Sequence, residues 1–369
     1  MNDPQKYWVG FNLVKGIGAA RLRGLLDYFG DVQAAWEAPP AAWQAAGLSA
    51  RIVETLVKVR SGVVLDQLVE RIRAQGITIL TWDDGAYPAY LKEVDAPPPV
   101  LYVRGTVMDQ DGWAVGIVGT RRITAYGRQV TEQLAADLAL SGVTVVSGLA
   151  RGVDAVAHQA ALSAGGRTLA VLGSGVDRIY PPEHRRLAEE ISAAGAVISD
   201  YPPGTPPEAA NFPPRNRIIS GLARAVVVIE AGETSGALIT AAFAAEQGRA
   251  VYAVPGSIFA PQSKGANLLI RQGARPLLDS QDLLGGLDLA HAGAYRAARA
   301  VLPADATEAR LLGLLSSAPL HVDEIGVQAG LPIDQVSAAL VLMELKGMVR
   351  QVGGMNYVAV RESGECYES

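Results

Sequence analysis

The chain has 369 residues, of which 49% are apolar and 19% charged. This is enough material for two or three packed domains and excludes a disordered chain. One cysteine, Cys366, excludes a disulfide framework or a cysteine-rich zinc site. The net charge of −5 argues mildly against a nucleic-acid partner. The start, MNDPQKYWVG, lacks the basic and apolar regions of a secretory leader, and no apolar run reaches the roughly 18 residues of a membrane span. A cytoplasmic protein is therefore expected.

Charge is unevenly spread. Residues 113–280 carry 15 Lys+Arg against 13 Asp+Glu, whereas the segments on either side are acidic. All but one of those 15 cations are arginine, the exception being Lys264. Arginine grips phosphate with two parallel donors and stacks on bases, so the middle segment is the place to seek an anionic ligand.

In chain order, residues 1–80 predict a helical domain of the SAM or helix-hairpin-helix type. Gly16-Ile17-Gly18 forms its turn, which is either a phosphate contact through helix N–H groups or a tight turn in a small bundle. A short strand is predicted over Gly76–Trp82. Residues 81–112, with prolines at 97, 98 and 99, are expected as a connecting segment. Residues 113–280 alternate wholly apolar strands with helices. Strands are predicted at Ala114–Val118, Val143–Ser147, Thr168–Leu172, Ala196–Ser199, Ala225–Ile229 and Ala250–Val254. Helices are predicted at 125–141, 152–164, 183–194, 214–223 and 236–247. Strands without polar alternation belong to a parallel sheet covered on both faces, so this is a doubly wound α/β, Rossmann-like domain. Residues 281–306 are expected as a linker. Residues 307–362 predict three helices and a hairpin turning at Gly353-Gly354, a winged-helix-like pattern.

Four constellations stand out, the first three at predicted strand ends, where such sheets bind ligands. Gly119-Thr120-Arg121-Arg122 precedes a helix and combines a helix N-terminus with two cations, or is a solvated surface turn. Ser147-Gly148-Leu149-Ala150-Arg151-Gly152 allows close backbone approach. Asp154 and His158 after it can meet on one helix face, a weak metal pair and better read as a carboxylate–histidine pair. Gly173-Ser174-Gly175 has Arg178 where a dinucleotide fingerprint needs its third glycine. No Gly-x-x-x-x-Gly-Lys loop exists either, so neither a nicotinamide cofactor nor ATP is supported, and no cofactor or metal is expected. Phe212 with Arg215, Asn216 and Arg217 offers a stacking face and phosphate grips, as single-strand binders do, or is a core aromatic and a helix cap. Glu230 with Thr234 and Ser235 can fix a ribose or a backbone amide. No general acid/base pair or nucleophile triad emerges.

These stretches, in this order, resemble the DprA (Smf) family of DNA-processing proteins. The resemblance covers residues 113–280 and rests on VGTRRITAYG (118–127), VVSGLARGVDAVAH (145–158), LAVLGSGVDRIYPPEH (169–184), SDYPPGTPP (199–207), FPPRNRIISGLA (212–223) and EAGETSGALITAAFAAEQGRAVYAVPG (230–256). It implies a non-enzymatic protein that binds single-stranded DNA with little sequence preference, protects it and hands it to the recombinase RecA in transformation and recombination. It further implies a homodimer built through the Rossmann-like domain, with its surface expected around Ile258–Leu278. Arg121 is implied as the phosphate-gripping arginine, with Phe212, Arg215 and Arg217 lining the same groove. Arg151, Arg178 and Lys264 join them on the charge argument. His184 stands where the family often has Asn. The acidic third helix of the winged-helix-like segment is a poor DNA reader; a protein-contact or dimer-supporting role is expected. Two other functions compete. One is a nucleotide phosphoribohydrolase-like enzyme, although Glu230-Ala-Gly-Glu-Thr-Ser-Gly lacks the doubled glycine and trailing Glu of that signature. The other is a regulator that binds double-stranded DNA.

Overall fold

The computed structural model describes residues 3–286, 306–316, 319–345, 348–352 and 355–359. The chain divides into two compact units, residues 1–289 and 290–369.

The first unit opens with six helices: α1 (Gln5–Asn12), α2 (Ala19–Phe29), α3 (Val32–Glu37), α4 (Pro40–Ala45), α5 (Ala50–Gly62) and α6 (Leu65–Ala74). Their apolar faces close around Phe11, Leu25, Trp43 and Leu56, all fully buried. The turn between α1 and α2 passes through Gly16 at φ +101°, a conformation that favours glycine, and the Arg21 guanidinium donates to the Gly16 carbonyl at 2.6 Å. The helices pack on the sheet region through Trp8, which meets Trp82 edge to face at 5.5 Å.

A nine-stranded sheet forms the centre. Its strands are β1 (Thr78–Thr81), β2 (Val100–Gly105), β3 (Ala114–Val118), β4 (Thr144–Ser147), β5 (Thr168–Val171), β6 (Ala196–Ser199), β7 (Ala225–Val228), β8 (Ala250–Ala253) and β9 (Arg275–Pro276), in the spatial order β1-β2-β6-β5-β4-β3-β7-β8-β9. Strands β3 to β9 run parallel; β2 pairs antiparallel with β6 and β1 antiparallel with β2. Every residue of β3 to β7 is buried, which is why the sequence shows no polar alternation there. The short helix α7 (Ala89–Lys92) precedes β2. The sheet is covered by α8 (Ala125–Leu140), α9 (Val153–Ser163), α10 (Arg185–Ala194), α11 (Phe212–Leu222), α12 (Gly236–Glu246) and α13 (Lys264–Arg271), and α14 (Ser280–Gly286) closes the described part of this unit.

Several boundaries differ from expectation. The connecting segment contributes β2 to the main sheet, because Val100–Val103 is an apolar run with a partner strand available in β6. The fourth main helix begins at Phe212 rather than 214. Pro213 and Pro214 sit in its first turn, where a missing N–H costs nothing. The expected linker holds α14 at its start, and its remainder lies outside the described residues.

The second unit contains α15 (Ala306–Leu314), α16 (Val322–Ala329) and α17 (Ile333–Leu345). Its three-stranded sheet is built from β10 (Leu320–His321), β11 (Val349–Gln351) and β12 (Asn356–Ala359), in the order β10-β12-β11. Its core is Leu311, Ile325, Val336, Leu340, Met343 and Met348. This is the winged-helix arrangement. The expected hairpin turn at Gly353-Gly354 and the cation Lys346 lie outside the described residues, as does Cys366.

Candidate nucleic-acid interface

The chain runs from β3 outward to β6 in one direction, then returns and runs from β7 to β9 in the other. The carboxyl ends of β3, β4 and β7 therefore surround a topological switch point, the crevice where open α/β sheets bind ligands. The loops after these strands are short and carry two of the four constellations singled out in the sequence, after β3 and β4, together with Glu230 after β7.

Part of that crevice is occupied by the protein's own carboxylate. Glu230, at the end of β7, is buried. It accepts hydrogen bonds from the Thr124 backbone N–H at 3.0 Å and the Thr124 hydroxyl at 2.5 Å. Thr124 is the N-cap of α8 and in turn accepts from the Gly127 N–H at 3.1 Å. The anion held at this helix start is Glu230 itself. Of the two roles open to Glu230, fixing a backbone amide is the one observed. A ribose at this carboxylate would have to displace the cap.

An exposed cationic and aromatic cluster lies beside it. Thr120 is pinned by its N–H to the Glu230 carbonyl at 2.7 Å, and its hydroxyl accepts the Arg122 N–H at 3.1 Å. This fixes the turn from which Arg121 and Arg122 project, both exposed. The Arg121 guanidinium reaches over the Phe212 ring at 5.8 Å and Arg215 approaches the same ring at 5.9 Å. Phe212 rests against the backbone of Gly173, where a Cβ would come within 2.9 Å of the ring. Tyr180 meets Phe212 at 5.7 Å between centroids. Loops after β3 and β5 and the first turn of α11 thus converge on one half-buried aromatic ring.

Arg215 is almost wholly buried, and its guanidinium donates to the Gly148 carbonyl at 2.9 Å. Gly148 is required there: a Cβ would lie 2.7 Å from the guanidinium. Burial pulls Arg215 down to about 10, opposed by Asp154 and Asp200, so it remains a cation at neutral pH. Asp154 accepts from the Gly148 and Ala150 N–H groups at 3.1 and 3.3 Å. Burial raises its carboxyl above the usual range, with Arg215 opposing. Leu149 between these contacts has φ +57°, a strained conformation for leucine, and its carbonyl accepts from His184 Nδ1 at 2.8 Å. Asp154, Arg215 and His184 together over-determine this loop, a positioning role the sequence did not reveal.

The other expected residues divide. Gly119 lies where β3 meets Val153 and the Glu230 carbonyl, too tight for a Cβ. Arg151 is exposed and ion-paired to Glu183 at 2.5 Å. Arg178 is exposed, 3.6 Å from Asp177, on the loop after β5. Lys264 is exposed at the start of α13, beside the loop after β7. Asn216 donates to the Gly236 carbonyl at 3.3 Å. Two expectations are corrected. The Ser147 hydroxyl is fully buried and donates to the Ile117 carbonyl at 2.6 Å, because β4 is a central strand. Arg217 leaves the cluster for the Ala96 carbonyl at 2.6 Å and Asp200 at 2.8 Å. Nor do Asp154 and His158 pair: His158 Nδ1 meets the Thr168 hydroxyl at 2.6 Å. Among the described residues no group of three or more His, Cys, Asp or Glu could hold a metal, and no helix is long and apolar enough to cross a membrane.

Family models match residues 78–288 as DNA recombination-mediator protein A and residues 296–355 as the DprA winged helix domain. The chain belongs to the DprA family. A Synechocystis protein Smf is 37% identical, the match covering 96% of this chain and 99% of that relative. The X-ray structure of DNA processing protein A from Streptococcus pneumoniae superposes with a TM-score of 0.68 at 33% identity, covering 76% of this chain and 98% of that one. DNA processing protein A from Helicobacter pylori, whose structure was determined for its single-stranded DNA binding mode, gives 0.52 at 30% identity over 57% of this chain and 95% of its own. This DprA member therefore pairs a large parallel-dominated α/β sheet with a winged-helix unit.

Proposed function

We propose that this DprA protein binds single-stranded DNA at the carboxyl edge of its sheet, protects the strand and passes it to RecA in transformation and recombination. The observation that carries this reading is the convergence of Arg121, Arg215 and Phe212. An exposed Arg121 and a half-buried ring, held beside the buried Arg215, suit a phosphate backbone and an unstacked base. Arg122, Arg178 and Lys264 extend the positive edge on both sides, and a strand lying across them would neutralise successive phosphates. The protein acts by binding and not by catalysis. Glu230, the residue of the phosphoribohydrolase-like reading, is committed to the α8 cap. Transfer to RecA and the setting in transformation rest on family membership, which the Helicobacter pylori relative supports for single-strand binding. The test is fluorescence anisotropy with a labelled single strand and an unlabelled duplex competitor. Tight, salt-sensitive binding that duplex displaces poorly is expected; preference for duplex would move the activity to another surface.

The same reading includes a homodimer. Ile258, Phe259 and Leu278 are 74%, 88% and 78% exposed. The same sheet edge carries a groove lined by Leu238, Ala241, Ala245, Leu268 and Leu269, between α12, α13 and β8. Apolar side chains this exposed fit a second copy of the chain.

A further inference from the structure

Tyr180 ends the loop after β5 and takes no part in the cluster inferred from the sequence. It is 39% exposed although it is a large aromatic residue. Its hydroxyl has no hydrogen-bond partner among the described residues, so neither core packing nor a polar tether accounts for its position. Its ring is 5.7 Å from that of Phe212, with the two planes tilted by 40°. The phenol also lies within electrostatic range of Arg151. Tyr180 thus connects the Arg121–Phe212–Arg215 cluster to the next exposed cation along the sheet edge.

The spacing limits what the two rings can hold. A base sandwiched between parallel rings needs about 7 Å, twice the optimal contact distance, and these rings are closer and tilted. They form a bent platform and not a slot. A base can lie on each exposed face. Consecutive bases of a stacked B-form strand advance by about 3.4 Å, so laying neighbours on both rings requires a stretched strand. A duplex cannot meet that spacing without losing its own stacking and pairing.

We propose that Tyr180 is a second base-stacking residue, and that Phe212 and Tyr180 together seat two consecutive unpaired bases, making the site selective for extended single strands. This deepens the single-strand reading above and rests on it. The proposed contacts are non-covalent. Phosphates on either side of the seated bases would be met by Arg121 and Arg151, and because aromatic stacking accepts any base, no sequence preference is expected.

The test compares oligothymidylate with an abasic sugar-phosphate strand of equal length, using the full-length protein. The wild type is expected to prefer the base-bearing strand. Tyr180→Leu, which keeps an apolar side chain but removes the ring, should lose about five- to hundredfold in affinity for oligothymidylate, with no matching loss on the abasic strand. Tyr180→Phe, which keeps the ring, should retain the preference for bases. Loss of equal size on both strands, or no loss on either, overturns the role of Tyr180 while leaving single-strand binding intact. If the wild type binds neither strand at low salt, the single-strand reading itself falls, and this inference with it.

Discussion

Arg215 and Arg217 lie two positions apart on α11, so about 200° separates them around the helix axis. Arg215 turns to the Gly148 carbonyl, where it is almost wholly buried, and the partly exposed Arg217 turns to Asp200 and the Ala96 carbonyl. A motif containing both arginines does not say which one meets a ligand; the direction is set by where α11 starts and by its packing on the sheet. Ser147 gives the same lesson, since its strand-end position placed it among the candidate DNA contacts while the central location of β4 buried its hydroxyl. Arg121 and Phe212, which the fold brings to 5.8 Å of each other, stand out in the sequence because one is a cation on a turn and the other an aromatic beside two arginines. His158 permits a pH prediction. Burial holds it down to about 3, well below its ordinary value, so the native state refuses a proton that the unfolded chain takes up as pH falls below about 6.5. This depressed histidine contributes full stability above pH 6.5 and loses it progressively down to the folded value. Between pH 6.5 and 4.5 it should cost the fold about 2–3 kcal/mol. Urea unfolding across that range should give a slope shallower by about one proton in His158→Gln than in the wild type; equal slopes would mean that His158 titrates normally.

At the scale of elements, the doubly wound order was readable from uninterrupted apolar strands and intervening helices. A short strand was expected over Gly76–Trp82, where β1 lies, but β2, which joins it antiparallel and extends the sheet beyond the expected domain start, was not readable. The residues of β2 look like a connector because the partner β6 is about a hundred positions away along the chain. The α8 start is similar. Thr124 as a cap is a local signal, but Glu230, its partner, is 106 residues distant. Removing that carboxylate leaves the part-buried Thr124 N–H and hydroxyl without an acceptor, so Glu230→Ala should destabilise the fold by about 2–3 kcal/mol. Glu230→Gln, which can still accept one bond, should cost less. Chemical denaturation of both variants tests this order, and a neutral Glu230→Ala would show that the cap is dispensable.

On the scale of the whole molecule, charge is sorted along the chain: residues 113–280 hold 15 Lys+Arg against 13 Asp+Glu, whereas residues 281–369 hold 6 against 11. The acidic unit is better suited to protein contact than to phosphate. Two copies joined through the Ile258–Leu278 face would let one strand engage two sites and gain avidity. Light scattering should find a dimer in the wild type and a monomer in Phe259→Glu, a substitution at a side chain too exposed to disturb folding; a wild-type monomer, or a variant that still dimerises, contradicts that face.

The most direct measurement is the salt dependence of single-strand binding, wild type against Arg121→Ala. The wild type should show affinity falling steeply along a straight log–log line, as displaced counterions require. Arg121→Ala should bind about 10- to 100-fold more weakly and with a shallower slope, having lost one charge-assisted phosphate contact. An Arg121→Ala protein with unchanged affinity and slope would contradict the account and place the strand elsewhere, first at the turn between α1 and α2.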